Sequence, residues 1–123
     1  MSIDWNEYLS TEYCYPIEIV SVYDGDTITC NIDLGFKIKL YKQKIRLFGI
    51  NTPEVRGKSR PEGLISKQKL IDLMEGKSIK LYSIKDKKGK YGRWLGILSI
   101  DGDKEQNINK MLLDGGFAKL ALY

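Results

Sequence analysis

The segment TITCNIDLGFKIKL, residues 27–40, alternates apolar and polar side chains on both sides of one glycine. In its first half every second residue is apolar, and this period of two predicts a half-buried strand. The residues on the apolar side are Ile28, Cys30, Ile32 and Leu34. The alternation resumes after Gly35, so we expect a tight hairpin that joins two strands. In this second half the apolar residues are Phe36, Ile38 and Leu40, with Lys37 and Lys39 between them.

The next two elements follow on the C-terminal side of this hairpin. Residues 44–50 predict either a further strand or a continuation of the second strand past a bulge. Pro61 suits the first turn of a helix, and Gly76 is expected to end it. The apolar stripe of this helix, at helical spacing, consists of Leu64, Leu70, Ile71 and Met74.

The last third of the chain predicts two strands and a short helix. The strands cover residues 78–85 and 91–100, and a basic turn joins them at Lys87, Lys88, Gly89 and Lys90. The helix carries Ile108, Met111 and Leu112 on one face and ends at Gly115 and Gly116. Three strands, a helix, two strands and a helix are the order typical of a five-stranded OB-fold, a β-barrel with helices of the α+β class. We expect residues 1–15 to form an N-terminal extension and residues 16–123 to form the barrel domain.

Composition and charge restrict the class of protein. A chain of 123 residues favours one domain, and no apolar run approaches the ~18 residues of a membrane span. The net charge of +4 and the pI near 9.0 favour anionic partners. Because the first fifteen residues lack the layout of a signal peptide, we expect a cytoplasmic protein. Cys14 and Cys30 are expected to stay reduced.

Basic residues form three clusters along the chain, and together they indicate binding to phosphate groups. Taken singly, each cluster is equally well explained as a solvated strand edge or loop. The clusters are residues 37–46, residues 56–60 and residues 85–93.

The sequence contains no histidine, which removes several classes of catalytic site. HNH-type nucleases, Ser-His-Asp hydrolases and zinc sites with imidazole ligands all need this residue. The remaining chemistry depends on carboxylates, amides and guanidiniums, since neither cysteine has an imidazole to activate it.

Arg46 and Glu54 bound a segment that is able to reverse the chain direction. Arg46 either points to solvent from the polar face of its strand or projects into the barrel mouth to meet an anion, and its position alone does not decide between them. The intervening residues include Gly49, Asn51 and the Thr52-Pro53 pair, which favour a turn back toward Arg46. Hydrolysis of a phosphodiester needs a carboxylate to accept a proton from water and a cation to balance the charge on phosphorus.

Hard oxygen ligands lie on the predicted turns. Asp24, Asp26, Asn51 and the backbone carbonyl of Thr52 would supply part of a calcium cage, because Ca²⁺ takes about 6 to 8 oxygen ligands. The alternative for DGDT, residues 24–27, is an ordinary hairpin turn. In KYGRW, residues 90–94, Arg93 is either a surface arginine beside Tyr91 or part of a phosphate site.

Four stretches in order resemble the staphylococcal nuclease, or thermonuclease, family over most of residues 16–121. They are VYDGDTI (22–28), IRLFGINTPE (45–54), KYGR (90–93) and GGFAKL (115–120). The resemblance implies a five-stranded OB barrel and a calcium-dependent endonuclease and exonuclease that acts on DNA and RNA and leaves 3′-phosphate ends. Single-stranded or frayed nucleic acid would be its partner, with no membrane partner and a monomeric chain.

The same resemblance implies roles for individual residues. Arg46 and Arg93 would clamp the phosphate, and Glu54 would be the general base. Asp26 and Thr52 would ligate calcium, with Asp24 in support, and Lys90 and Tyr91 would contact the nucleotide. Arginine suits a clamp because its planar fork donates two hydrogen bonds to one phosphate.

Two departures from the family pattern concern the metal and the nucleobase. Asn51 stands where the family has a second calcium-binding aspartate, and it keeps an oxygen ligand while removing one negative charge, so weaker calcium binding is expected. The sequence ends at Tyr123, so we expect the family's C-terminal helix to be missing and a family tyrosine to fall near Leu122.

Two other functions remain open. Asn51 is compatible with a catalytically weak or silent OB-fold module that binds nucleic acid or a protein partner. The other open function is an oligosaccharide-binding protein on the same fold, but the basic clusters argue against a neutral ligand.

Overall fold

Five strands close into a barrel, and two further short strands pair outside it. The computed structural model describes residues 2–88 and 92–121, and for residues 85–88 it describes the backbone alone. The strands are β1 Cys14–Asp24, β2 Thr27–Gly35, β3 Ile38–Leu47, β4 Ile50–Asn51, β5 Ile79–Lys88, β6 Trp94–Ile100 and β7 Lys119–Leu120. The barrel order is β1-β2-β3-β6-β5, and all its pairings are antiparallel except the parallel pair β3 and β6. This closed barrel confirms the OB-type fold predicted from the order of elements.

Strand β2 confirms the first predicted strand, whereas β1 at Cys14–Asp24 was not predicted. Strand β3 contains both of the segments that follow Gly35, so the second of the two alternatives, a continuation past a bulge, is the correct one. The strand pairing locates this bulge. Cys30 pairs with Gln43 and Ile32 pairs with Leu40, so β3 carries one extra residue between these pairs.

Both predicted helices are present. Helix α1, Arg60–Met74, has Pro61 in its first turn and ends before Gly76, whose φ is +71°. Leu70 and Met74 are buried on the barrel, whereas Leu64 is 40% exposed, so the predicted apolar stripe is only partly a core face. Helix α2, Ile108–Asp114, begins at Asn107, whose side chain accepts a hydrogen bond from the Lys110 amide. Within the described part of the chain, short 3-10 helices cover Trp5–Tyr8, Thr11–Tyr13 and Gly57–Ser59.

The hydrophobic core has two parts on opposite faces of the barrel wall. The larger part fills the barrel and the space under both helices, and it includes Ile28, Ile45 and Leu70, all fully buried. The smaller part contains Leu95 and Ile97 and is covered by the N-terminal segment through Leu9 and Trp5. The predicted extension therefore packs on the domain.

The fold bears on two further features of the chain. Cys14 and Cys30 are both free, as expected. The Asp-Gly-Asp segment at residues 24–26 forms the turn between β1 and β2, and a second such segment, at residues 101–103, also forms a turn. Among the described residues, the helices are too short or too polar to cross a bilayer.

Candidate active site

A polar cluster, buried except for the exposed Asn51, forms where the β1–β2 turn meets the chain that leaves β3. The turn supplies Asp24 and Asp26, strand β3 supplies Arg46, and the following segment supplies Asn51 and Thr52. Arg46 lies opposite Thr27 in the β2–β3 pairing, so the sheet register holds the arginine beside the turn. We refer to these five residues, Asp24, Asp26, Arg46, Asn51 and Thr52, as the acidic–arginine cluster.

Arg46 lies neither on the solvent face nor free in the barrel mouth. The residue is only 7% exposed. Its Nη2 atom lies 3.3 Å from Oδ2 of Asp26 and donates a 3.0 Å hydrogen bond to Oδ1 of Asn51. Its Nη1 atom donates a 2.9 Å hydrogen bond to the carbonyl of Leu47. The guanidinium is therefore held in one orientation by three different partners.

Asp26 is the centre of this cluster. Its Oδ2 atom accepts a 2.8 Å hydrogen bond from the Thr52 amide, besides the ion pair with Arg46. Its Oδ1 atom accepts a 3.0 Å hydrogen bond from the Thr27 hydroxyl. Because the Thr52 contact joins residues 26 positions apart, it fixes the segment after β3 against the β1–β2 turn.

Asp24 lies next to Asp26 and is also buried, with 8% of its surface exposed. Its Oδ1 atom accepts a 3.1 Å hydrogen bond from the Asp26 amide. Burial, together with a hydrogen bond and the charge of the neighbouring Asp26 carboxyl group, raises the pKa of Asp24 to about 7. Arg46 acts in the opposite direction on this pKa and does not offset the other causes.

Gly25 allows the turn to approach the rest of the site. A Cβ atom at this position would lie 2.8 Å from Cγ2 of Thr52 and 2.9 Å from Cβ of Ser66. Only a residue without a side chain lets the turn pack this closely on Thr52 and on helix α1.

The donor set suits calcium in kind and only partly in number. Two carboxylates, an amide oxygen and a backbone carbonyl are hard ligands, and the Thr52 hydroxyl is buried without a hydrogen-bond partner. Within residues 2–88 and 92–121 there is no group of three or more cysteines and acids arranged to hold a metal ion. A cation would need Arg46 to release oxygens of Asp26 and Asn51, with water or phosphate oxygens to complete its shell.

The other predicted site residues are Glu54, Arg93, Lys90 and Tyr91. Glu54 has a side chain that is 70% exposed, and its Oε2 atom lies 3.7 Å from Nε of Arg56. Arg93 is half-buried and immediately precedes β6, whose Leu95 pairs with Arg46. Lys90 and Tyr91 lie outside the described residues, and so does Leu122.

Sequence reasoning missed the contributions of Thr27 and Gly25. Both belong to the DGDT segment, which was considered for its carboxylates and as an ordinary hairpin turn. The Thr27 hydroxyl fixes the Asp26 carboxylate, and Gly25 provides the close approach. A threonine next to a buried aspartate is a local signal that could have indicated the first contact.

A family model described as staphylococcal nuclease homologue matches residues 44–123, which is more than half of the chain. The chain belongs to the staphylococcal nuclease family. Its members are nucleases and phosphodiesterases, so a nuclease-like function is indicated for this domain. The match includes Arg46, Glu54 and Arg93 and begins after the two aspartates of the β1–β2 turn. A search of curated proteins found no match.

Proposed function

We propose that this member of the staphylococcal nuclease family is a calcium-dependent nuclease that hydrolyses phosphodiester bonds in single-stranded or frayed DNA and RNA and leaves 3′-phosphate ends. The observation that carries the proposal is the ion pair between Arg46 and Asp26, with Asn51 and Thr52 bonded to the same two side chains. Substrate-binding cation and metal-binding oxygens are thus adjacent, as phosphoryl transfer requires.

Arg46 and Arg93 bind the phosphate in this proposal. Arg46 already donates through both terminal nitrogens, and an arriving phosphate replaces the Asp26 and Asn51 oxygens as the acceptors of Nη2 and the Leu47 carbonyl as the acceptor of Nη1. The planar fork matches two phosphate oxygens and stabilises the charge that grows on them in the transition state. Lys90 and Tyr91 bind the rest of the nucleotide.

Asp26, Asn51 and the Thr52 carbonyl hold calcium, and Asp24 supports them. The bound ion supplies positive charge next to the phosphate. Because Asn51 is neutral, the site has one charge fewer than a three-carboxylate set, and a higher calcium requirement follows.

Glu54 accepts the proton of the attacking water. Its carboxylate is exposed and accessible to a substrate that covers the loop. The 3.7 Å pair with Arg56 involves two exposed side chains, and such pairs contribute little, so Glu54 leaves Arg56 at low cost. General base catalysis contributes about 10²- to 10⁴-fold to rates.

Cleavage of labelled single-stranded DNA, with calcium and with excess chelator, tests the proposal. We expect cleavage that the chelator abolishes, and a loss of about 10²-fold or more in Glu54→Gln, while the fold and most DNA binding remain. Glu75→Gln is the matched control, because Glu75 is an exposed acid at the far end of helix α1. Absence of chelator-sensitive cleavage over a broad calcium range would overturn the proposal, and wild-type rates in Glu54→Gln would place the base elsewhere.

A catalytically silent nucleic-acid-binding or protein-binding module is the second candidate. The observation that favours it is that Arg46 is already engaged by Asp26, Asn51 and the Leu47 carbonyl, an arrangement that also serves stability alone. Binding that decreases steeply with salt, without any turnover, distinguishes this candidate from the nuclease. We also propose, as expected from the sequence, that the chain is a cytoplasmic monomer.

A further inference from the structure

The β2–β3 hairpin projects beyond the barrel with an apolar surface. Its exposed fractions are 39% for Leu34, 97% for Phe36, 54% for Ile38, 41% for Leu40 and 65% for Tyr41. Soluble monomers rarely expose adjacent apolar side chains in this way without a partner. We call residues 34–44 the projecting hairpin.

The turn of this hairpin has a conformation that its residues do not favour. Phe36 and Lys37 link the paired residues Gly35 and Ile38, and their φ angles are +54° and +64°. Two-residue turns with both φ angles positive are normally formed by Asn-Gly or Asp-Gly, because a bulky side chain is strained there. The fully exposed ring of Phe36 therefore adds nothing to folding at a position where it costs stability.

The apolar surface continues into a cavity at the end of the barrel. Leu34 and Leu40 line this cavity of about 300 Å³ together with Ile32 from the core. Three aromatic residues, Tyr13, Tyr15 and Trp94, line it as well. The cavity thus offers ring surfaces on which flat, unsaturated groups can stack.

Positive charge surrounds this surface. Lys37, Lys39, Lys42 and Lys44 are all exposed, and none of them forms an ion pair within the described part of the chain. Between residues 27 and 44 the sequence has a single acid, Asp33. The chemistry of the surface is therefore complementary to a polyanion that also carries flat apolar groups.

We propose that the projecting hairpin and the adjoining aromatic cavity bind a single-stranded nucleic acid, with bases stacked on Phe36, Tyr41 and the cavity rings and phosphates next to the lysines. Strand β3 carries Arg46 near one end and the hairpin at the other, so one nucleic-acid strand that follows β3 reaches both. The path of the nucleic acid from the hairpin to Arg46 rests on the proposed function. Aromatic stacking with a positively charged path is the usual means of sequence-independent single-strand binding, and OB-folds cover about 4 to 16 nucleotides.

Fluorescence anisotropy with a labelled thymidylate dodecamer and a labelled thymidine dinucleotide, both in excess chelator, tests the inference without cleavage. The test variant is Phe36→Asn with Lys37→Gly, which installs the favoured turn sequence and so removes the ring and one charge without a cost to folding. Val20→Ser is the matched control, since Val20 is an apolar β1 residue that is 48% exposed. We expect about tenfold weaker binding of the dodecamer in the double variant, unchanged binding of the dinucleotide, and wild-type binding in the control.

Three results overturn the inference. The first is equal dodecamer affinity in the wild type and the double variant. The second concerns vesicles that contain phosphatidylserine. If the wild type sediments with them and the double variant does not, while both bind the dodecamer equally, the surface binds a membrane. The third concerns self-association in analytical ultracentrifugation. If the wild type is a dimer and the double variant is a monomer, while both bind the dodecamer equally, the surface binds a second copy of the chain.

The inference and the proposed function fail separately. Hairpin-dependent dodecamer binding without calcium-dependent cleavage supports the inference and contradicts the nuclease. Cleavage with no effect of the hairpin on dodecamer binding supports the nuclease and overturns the inference.

Discussion

Strand β3 joins two regions of opposite character. At its C-terminal end Arg46 is 7% exposed, forms an ion pair with Asp26 and donates hydrogen bonds to Asn51 and to the Leu47 carbonyl. At its N-terminal end Ile38 and Leu40 are 54% and 41% exposed, and the preceding turn is strained. The first region follows the rule that buried charges are paired, whereas the second violates the rule that apolar side chains are buried. The acidic–arginine cluster is thus compatible with both stability and catalysis, and the projecting hairpin is the surface for which we propose a nucleic-acid partner.

Arg46→Met gives the largest expected effect on this comparison, because it leaves Asp26 buried without its cation. Removal of one partner of a buried ion pair costs about 3 to 5 kcal/mol, and we expect a loss of unfolding free energy of that size. Urea unfolding followed by tryptophan fluorescence measures it. Lys44→Met on the same strand is the control, and this exposed position should change stability by less than about 0.5 kcal/mol. Similar small losses for both variants would show that the Arg46 ion pair contributes little.

Asp24→Asn tests the electrostatics of the same region through pH. The folded-state pKa of Asp24, about 7, lies above the ordinary value of 3.8, so the folded protein holds a proton that the unfolded chain releases. This contribution to stability is fully present below pH 3.8 and is lost as pH rises through 7. Three pKa units correspond to at most about 4 kcal/mol.

Urea titrations between these pH values, in excess chelator, measure the effect. The wild type should lose stability relative to Asp24→Asn as pH rises, since asparagine keeps the acceptor oxygen without a charge. Parallel pH dependences of the two proteins would contradict a raised pKa at Asp24.

Substitution of the hairpin turn gives the smallest expected effect on stability, and it should stabilise the protein rather than destabilise it. Phe36→Asn with Lys37→Gly relieves two residues in the left-handed region, each of which costs about 1 to 2 kcal/mol. We expect the double variant to unfold at a higher urea concentration than the wild type. A lower midpoint would show that Phe36 contributes to packing, and the contrast between the two ends of β3 would then weaken.

Local sequence patterns correctly predicted those elements in which the apolar residues of the pattern are the buried ones. Strand β2 alternates with period two over most of its length, and α2 has an apolar face and a terminal glycine, so both were predicted correctly. Strand β1 was missed because Pro16 lies near its start and its partner β5 is distant in sequence, although its other partner, β2, follows after a two-residue turn. Whether such a segment forms a strand depends on its pairing with a remote strand, and a local sequence pattern carries no information about that pairing.

Exposure and ion pairing at the site were harder to predict. The alternation of Phe36, Ile38 and Leu40 predicts one buried face, and it is exposed because the hairpin extends past the end of the barrel. The proximity of Asp26 to Thr52 depends on the β1–β2 turn and on Gly25, which brings two distant segments into contact. Glu54 pairs with Arg56, two positions later in the chain. The sequence analysis predicted that the chain turns back toward Arg46, and this prediction did not include the contact with Arg56.

A crystal structure with calcium and a nucleoside bisphosphate tests the central claim most directly. The account predicts the ion against Asp26, Asn51 and the Thr52 carbonyl, with the Arg46 guanidinium moved from Asp26 to a phosphate oxygen. A structure in which Arg46 keeps its bonds to Asp26 and Asn51, while ion and phosphate lie on another face of the barrel, would contradict it.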